Sequence, residues 1–401
     1  MRARVRPPSE EGRKEPPSAS SSDAAKGSSS LSVAIVHDYL TQMGGAERLV
    51  LTMCKAFPEA PVYTSVYEPL RTFPEFRQID VRPMPWLNSV RTLRKNHRIG
   101  LPIYGPAFKR LTVEADVTLC SSSGWAHLVN TSGTKVVYCY TPARWLYQSA
   151  TYTSQLSPAV RVGMRMLAPA LCRVDRAGAR TAAMYITSST AVRQRIYDVY
   201  GLESRVIPPP PAVSVEGPRQ PLKMEPGYLL TVSRLLPYKN VELVIAAAAR
   251  AGRRLVVVGA GPDRARLERV AGAHCQFLGS VSDSVLRWLY ENCAAVVAMS
   301  YEDYGLVPVE ANSFGRPVVA LRWGGFLDTV VDDETGIFCE DPTVESLVVA
   351  LSRCAHHGWD TAVLQEHAEH FSEAAFVSAL RSTVLHDLLS SKALAEPSGV
   401  R

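Results

Sequence analysis

Ala295-Val-Val-Ala-Met299-Ser300-Tyr-Glu302-Asp-Tyr-Gly305-Leu-Val-Pro308-Val-Glu310-Ala-Asn-Ser-Phe-Gly315-Arg-Pro-Val318-Val-Ala-Leu321 runs from an apolar segment of strand length through a polar loop and a helical stretch to a second apolar segment. Short, uninterrupted apolar runs suit strands covered on both faces, and the helix between them suits the crossover of a parallel pair. The same alternation extends in both directions. Strands are expected at 228–232, 255–258 and 276–278, with helices from about Val241, near Arg264 and near Val285. Earlier runs at 32–36, 62–66, 117–120, 135–139 and 184–187 are spaced widely enough for helices between them. The fold class is therefore α/β, with two Rossmann-like domains built on parallel sheets.

Pro208 to Pro211 interrupt the pattern, and the chain stays rich in proline and polar residues up to Gly227. Proline lacks the N–H that a helix interior or sheet ladder uses, so 207–226 reads as a linker between domains at 31–206 and 227–370. A helix at 371–390 follows and is expected to return to the first domain. The polar stretches 1–30 and 391–401 bury too little apolar surface to order themselves and read as tails.

Composition removes several classes. With 401 residues, 46% of them hydrophobic and 20% charged, the chain is large enough for two cores and too balanced for a disordered or fibrous protein. No window approaches the ~20 apolar residues of a spanning helix. The first 30 residues hold no apolar core of the secretory kind, so a cytoplasmic protein, peripheral on the inner face of the membrane, is expected. The eight cysteines never form a CxxC pair, which predicts free thiols and no zinc site. Nine Lys/Arg between 71 and 110 face only Glu75 and Asp80. Arg91, Arg94, Lys95, Arg98, Lys109 and Arg110, interleaved with Trp86, Leu87, Leu93, Ile99, Leu101, Ile103 and Phe108, suit an anionic lipid surface or a lipid-pyrophosphate acceptor. Solvated helix faces are the alternative. Nucleic acid is not expected, since no binding motif accompanies the charge.

Candidate site residues cluster after expected strands, where ligand crevices of α/β sheets form. Glu302 and Glu310 are two carboxylates able to accept hydrogen bonds from two sets of hydroxyls, and the amides of Gly305, Leu306 and Val307 open the helix between them. A solvated loop carboxylate and a helix-dipole carboxylate are the ordinary alternatives. Arg234 and Lys239 leave the first strand of domain two, an arrangement that suits a pyrophosphate, with a solvated basic loop as the alternative. Gly44-Gly45 opens the first helix. Gly259-Ala-Gly261-Pro262-Asp263-Arg264 does not complete the GxGxxG dinucleotide pattern.

The E-x7-E spacing of Glu302 and Glu310, followed by Gly315-Arg-Pro-Val-Val, closely resembles the donor-site signature of retaining GT-B glycosyltransferases of family 4. The resemblance extends over nearly all of 31–390. His37-Asp-Tyr with Gly44-Gly45-Ala-Glu47, and Tyr138-Cys-Tyr140-Thr-Pro-Ala-Arg144, resemble the bacterial mannosyltransferase branch that builds O-antigen and related surface polysaccharides. It implies a GT-B fold with two domains facing a central cleft, and transfer of mannose from GDP-mannose to a glycan or lipid-linked glycan, with no cofactor and no metal. It also implies that Glu302 holds sugar hydroxyls and Glu310 the nucleotide ribose. Gly305, Leu306 and Val307 belong to the donor site, and the first two offer amides to the hexose. Arg234 and Lys239 stabilise the diphosphate, which Gly44 and Gly45 face. Where Gly324-Gly325 resembles the family's Gly-Gly-x-x-Glu loop, Asp328 replaces the usual Glu. Tyr140, which with Glu302, Arg234 and Lys239 makes up the expected catalytic set, stands where related enzymes usually carry His beside the reacting sugar; His127 and Arg144 are acceptor-side candidates, the alternatives being a polar loop residue for His127 and a pairing with a neighbouring carboxylate for Arg144. A GT-B sugar-nucleotide epimerase and a catalytically silent glycan-binding protein are the rival expectations.

Overall fold

The computed structural model describes residues 31–147 and 158–387; the expected tails at 1–30 and 391–401, and the end of the 371–390 helix, lie outside the described residues. Seven parallel strands form the first sheet: β1 (Val33–His37), β2 (Val62–Thr64), β3 (Val81–Pro83), β4 (Val117–Ser122), β5 (Thr134–Cys139), β6 (Met184–Thr187) and β7 (Arg205–Val206). Their spatial order is β3-β2-β1-β4-β5-β6-β7. Alternate residues feed opposite cores. Ala34, Val36, Cys120 and Val137 lie in one apolar cluster, and Ile35, Leu119, Val136 and Tyr138 in another. That two-residue period on a strand apolar at every position is the signature of a sheet covered on both faces.

The second sheet has six parallel strands, β8 (Tyr228–Val232), β9 (Leu255–Val258), β10 (Cys275–Gly279), β11 (Cys293–Ala298), β12 (Val318–Leu321) and β13 (Gly336–Cys339), in the order β10-β9-β8-β11-β12-β13. The sequence reading stopped at β12. The edge strand β13 pairs with it from Val318↔Gly336 to Leu321↔Cys339. It was missed because four residues beside the polar turn 332–335 carry no measurable periodicity.

Helices α1 (Gly45–Ala56), α2 (Thr190–Tyr200), α3 (Val241–Arg250), α4 (Leu306–Ser313) and α5 (Glu373–Ser382) place the groups discussed below. From α5, Phe376 and Leu380 enter the cluster of Ile35 and Tyr138 in the first sheet, and the Phe376 and Tyr138 rings meet edge to face at 5.9 Å. Lys55 of α1 bonds Glu373 at 2.7 Å, and Arg381 donates to the Ala56 carbonyl. Residues 207–226 form no helix or strand. They are held from both sides: Tyr138 donates to Ile207 O at 2.9 Å, Arg48 to Ala212 O at 2.8 Å, Tyr304 to Pro209 O at 3.0 Å and Arg287 to Ser214 O at 2.8 Å.

Candidate active site

Each sheet reverses its strand order once, between β1 and β4 and between β8 and β11. Crevices form beyond the carboxyl ends of strands at such switch points. Here the two share one cleft of about 1790 Å³, lined by Gly45, Tyr140 and Arg144 from the first half, Arg234, Lys239 and Glu302 from the second, and linker residues between them. Small-molecule pockets usually enclose ~300–1,000 Å³, so the cleft is larger than a single such ligand fills.

The two glycines after β1 act differently. A Cβ on Gly44 would lie 2.5 Å from Glu47 Oε2, whereas one on Gly45 would meet nothing within 4 Å. Gly44 therefore admits the buried Glu47 carboxylate beneath the turn, and Gly45, which lines the cleft, leaves the start of α1 open to it.

Across the cleft, the Lys239 ammonium donates to Glu302 Oε1, and Ser300 Oγ donates to the same oxygen at 2.9 Å. The loops carrying these groups are tied together by Asn240, whose left-handed backbone (φ 53°) aims its amide at Met299 O, 2.8 Å away. Arg234 is exposed, with the Tyr238 hydroxyl at 3.4 Å. Gly305 precedes α4 at φ 95°, and Gly305, Leu306 and Val307 line the cleft.

Glu310 does not face this space. It is buried, accepts from Tyr290 OH at 2.6 Å and Ala212 N at 3.1 Å, and is bonded by the Val213 N–H. Burial pushes its pKa up; the Tyr290 and backbone bonds and the Arg48 charge oppose that shift. The ribose role expected of Glu310 came from the family resemblance; here Ala212 of the linker and Tyr290 take its two carboxylate oxygens.

Tyr140 lines the cleft, but its hydroxyl is engaged inside the protein, donating to Ala46 O at 3.1 Å and lying 2.9 Å from Ser121 Oγ. His127 is not in the cleft. It is 3% exposed, with Ser122 Oγ 3.2 Å from one ring nitrogen and Asp175 Oδ1 3.2 Å from the other. Arg144 lines the cleft and pairs with Asp303; Arg195 joins the same carboxylate at 2.7 Å. Asp328 accepts from Thr190 N at 2.8 Å and Thr190 Oγ at 2.7 Å, a cap on α2 supplied from the other half of the chain. Sequence reasoning missed Asp303 and Arg195 altogether. The one available signal was a second acid beside Glu302; its partners lie more than a hundred residues upstream.

Of the basic stretch, Arg91, Lys95, Arg98, Lys109 and Arg110 are exposed, whereas Arg94 is half-buried and bonds Glu68 at 3.1 Å. Leu87, Leu93 and Phe108 belong to the core, while Trp86 (55%), Ile99 (61%) and Ile103 (43%) remain exposed. No described helix is long and apolar enough to cross a membrane.

Residues 216–376 match the family described as Glycosyl transferases group 1. A glycogen synthase of Mycobacterium tuberculosis is 35% identical over 138 residues, 31% of this chain and 33% of that protein. An alpha-1,3/1,6-mannosyltransferase ALG2 of Dictyostelium discoideum is 37% identical over 78 residues, 19% of this chain and 18% of that protein. The matches thus span a third or less of these curated relatives. Among solved structures, Anabaena HepE in complex with UDP superposes with a TM-score of 0.65 at 18% identity, covering 90% of this chain and 100% of that one. At that identity the likeness speaks for fold alone. The chain therefore has the GT-B fold, and the match to glycosyl transferases group 1 falls on residues 216–376, within which the second sheet lies.

Proposed function

We propose that this protein is a retaining hexosyltransferase that moves mannose from GDP-mannose to a hydroxyl of a glycan or lipid-linked glycan in cell-envelope polysaccharide or glycolipid synthesis. The observation that carries the reading is the convergence of Arg234, Lys239, Ser300 and Glu302 with the open start of α1 on one cleft between the two sheets. On donor binding the Lys239 ammonium exchanges Glu302 for the diphosphate. With Arg234 it offsets the negative charge that grows on phosphate as the anomeric C–O bond breaks. Glu302 then accepts from sugar hydroxyls. The acceptor oxygen forms its bond to the anomeric carbon on the face the phosphate leaves, and its proton passes to a departing phosphate oxygen.

The guanine preference draws support from Asp283, an exposed carboxylate lining the same cleft beside Arg287. Guanine presents two adjacent N–H donors to one carboxylate, an edge that uracil and adenine lack. Saturating GDP is expected to raise the melting temperature more than UDP or ADP, since a ligand at about 100 times its Kd adds ~2.7 kcal/mol. Asp283→Ala is expected to remove the preference. A larger shift with UDP would overturn the guanine reading, and no shift with any of the three would sink the nucleotide-sugar site itself.

Peripheral membrane contact through the exposed cations and Trp86, Ile99 and Ile103 belongs to the same proposal, each cation near an anionic surface contributing ~1 kcal/mol. Replacing Arg91, Lys95 and Arg98 with Gln is expected to abolish co-sedimentation with anionic vesicles. Equal pelleting of wild type and variant would remove this surface from the account.

A further inference from the structure

We infer that Tyr140 is a positioning residue whose hydroxyl ends a buried hydrogen-bond relay, His37 to Ser121 to Tyr140 to Ala46, that sets the glycine turn at the mouth of the cleft. The inference deepens the proposed function, and its kinetic arm rests on that reading.

The direction of every proton follows from the two ends. Ala46 O is a carbonyl and only accepts, so the Tyr140 O–H, 3.1 Å away, donates to it. The Ser121 hydroxyl, 2.9 Å from Tyr140 OH, then spends its single proton on the tyrosine oxygen. Ser121 Oγ therefore accepts from His37 Nδ1 at 2.9 Å, which must carry hydrogen. An independent contact requires the same tautomer: His37 Nδ1 also lies 3.2 Å from the Ser121 carbonyl, another group that only accepts. The histidine is buried, with Nε2 turned toward the Glu47 carboxylate at 4.0 Å. That carboxylate sits where Gly44 lacks a side chain, and Gln42 donates to it at 3.0 Å.

The relay thus joins β1, β4 and the residue after β5 to the first turn of α1. Its last acceptor, Ala46, adjoins Gly45, whose surface faces the cleft. Ser121 is fully buried and does not line the cleft, so it reaches the ligand only through Tyr140. A tyrosine that touched sugar directly would instead act without Ser121.

Tyr140→Phe and Ser121→Ala each remove one hydroxyl, and both variants are expected to fold. Each is expected to speed hydrogen exchange at the Arg48 amide, which donates to Gly44 O at 3.0 Å, and to raise the donor KM roughly 3- to 10-fold with kcat little changed. The double variant is expected to match the single ones, because cutting one chain twice adds nothing. Wild-type Arg48 exchange and KM in Ser121→Ala, beside a lowered kcat in Tyr140→Phe, would overturn the relay in favour of direct sugar contact. Exchange needs no substrate, so accelerated exchange without detectable transfer supports the relay and removes the proposed function.

Discussion

Glu302→Gln is expected to lower the rate of sugar transfer by about 10²- to 10³-fold, with the loss in kcat rather than KM. Glutamine keeps the volume and one carbonyl acceptor but loses the charge. A carboxylate that accepts from sugar hydroxyls binds most tightly when the ring carries positive charge, so neutralising it is felt chiefly in the transition state. The substitution also releases Lys239, whose ammonium donates to Glu302 Oε1 in the free protein. That change pulls the other way on binding, because an unpaired ammonium meets the diphosphate without first surrendering a partner. Nucleotide affinity should therefore hold or rise slightly while turnover collapses. Steady-state kinetics with donor and acceptor, alongside nucleotide-induced melting shifts, separate the two effects. Near-normal turnover would refute Glu302 as the sugar-binding carboxylate.

Asp175→Ala is expected to destabilise the first half of the chain by about 2–3 kcal/mol, which for a domain of this size lowers the melting temperature by roughly 5–10 °C. Asp175 is completely buried, with His127 Nε2 3.2 Å from one carboxylate oxygen and the Tyr147 hydroxyl donating to the other at 2.8 Å. Alanine leaves the Tyr147 hydroxyl without its acceptor and His127 Nε2 with only the main-chain carbonyl of residue 175, 3.4 Å away. The cost is large because each group surrendered its water on folding. Calorimetry reads the effect. A loss under ~1 kcal/mol would show that the site relaxes or admits water. Asp175→Asn, which keeps an acceptor for Tyr147, should recover part of the loss and leave the donor KM unchanged. A changed KM in that variant would return His127 to the substrate side.

The inner strands of both sheets were legible because parallel strands buried on two faces are apolar at consecutive positions, and 228–232, 255–258 and 318–321 have the expected boundaries, whereas the short edge strands β3, β7 and β13 carry too little pattern to show. Glu302, Arg234, Lys239 and Gly305 were legible for a related reason: each follows a strand by a few residues, and the parallel topology carries strand ends to one edge. Local order along the chain was enough to place them.

Side-chain direction was not legible. Glu310 sits on the helix that Gly305 opens, yet the crossing linker claims its carboxylate. His127 follows a strand as Tyr140 does, yet its ring turns to Asp175 on a different helix, while Tyr140 stays at the cleft with its hydroxyl turned inward. Asp303, next to Glu302, is bonded by Arg144 and Arg195 from the other half of the molecule. By itself, then, the sequence determined two parallel α/β domains and the strand ends from which the cleft is built, since periodicity and glycine turns act over a few residues. Which carboxylates face the cleft and which are taken by the protein's own donors was decided only by tertiary structure. Those partners lie far apart in sequence, and a polar group removed from water binds whichever donor the fold brings within hydrogen-bond distance.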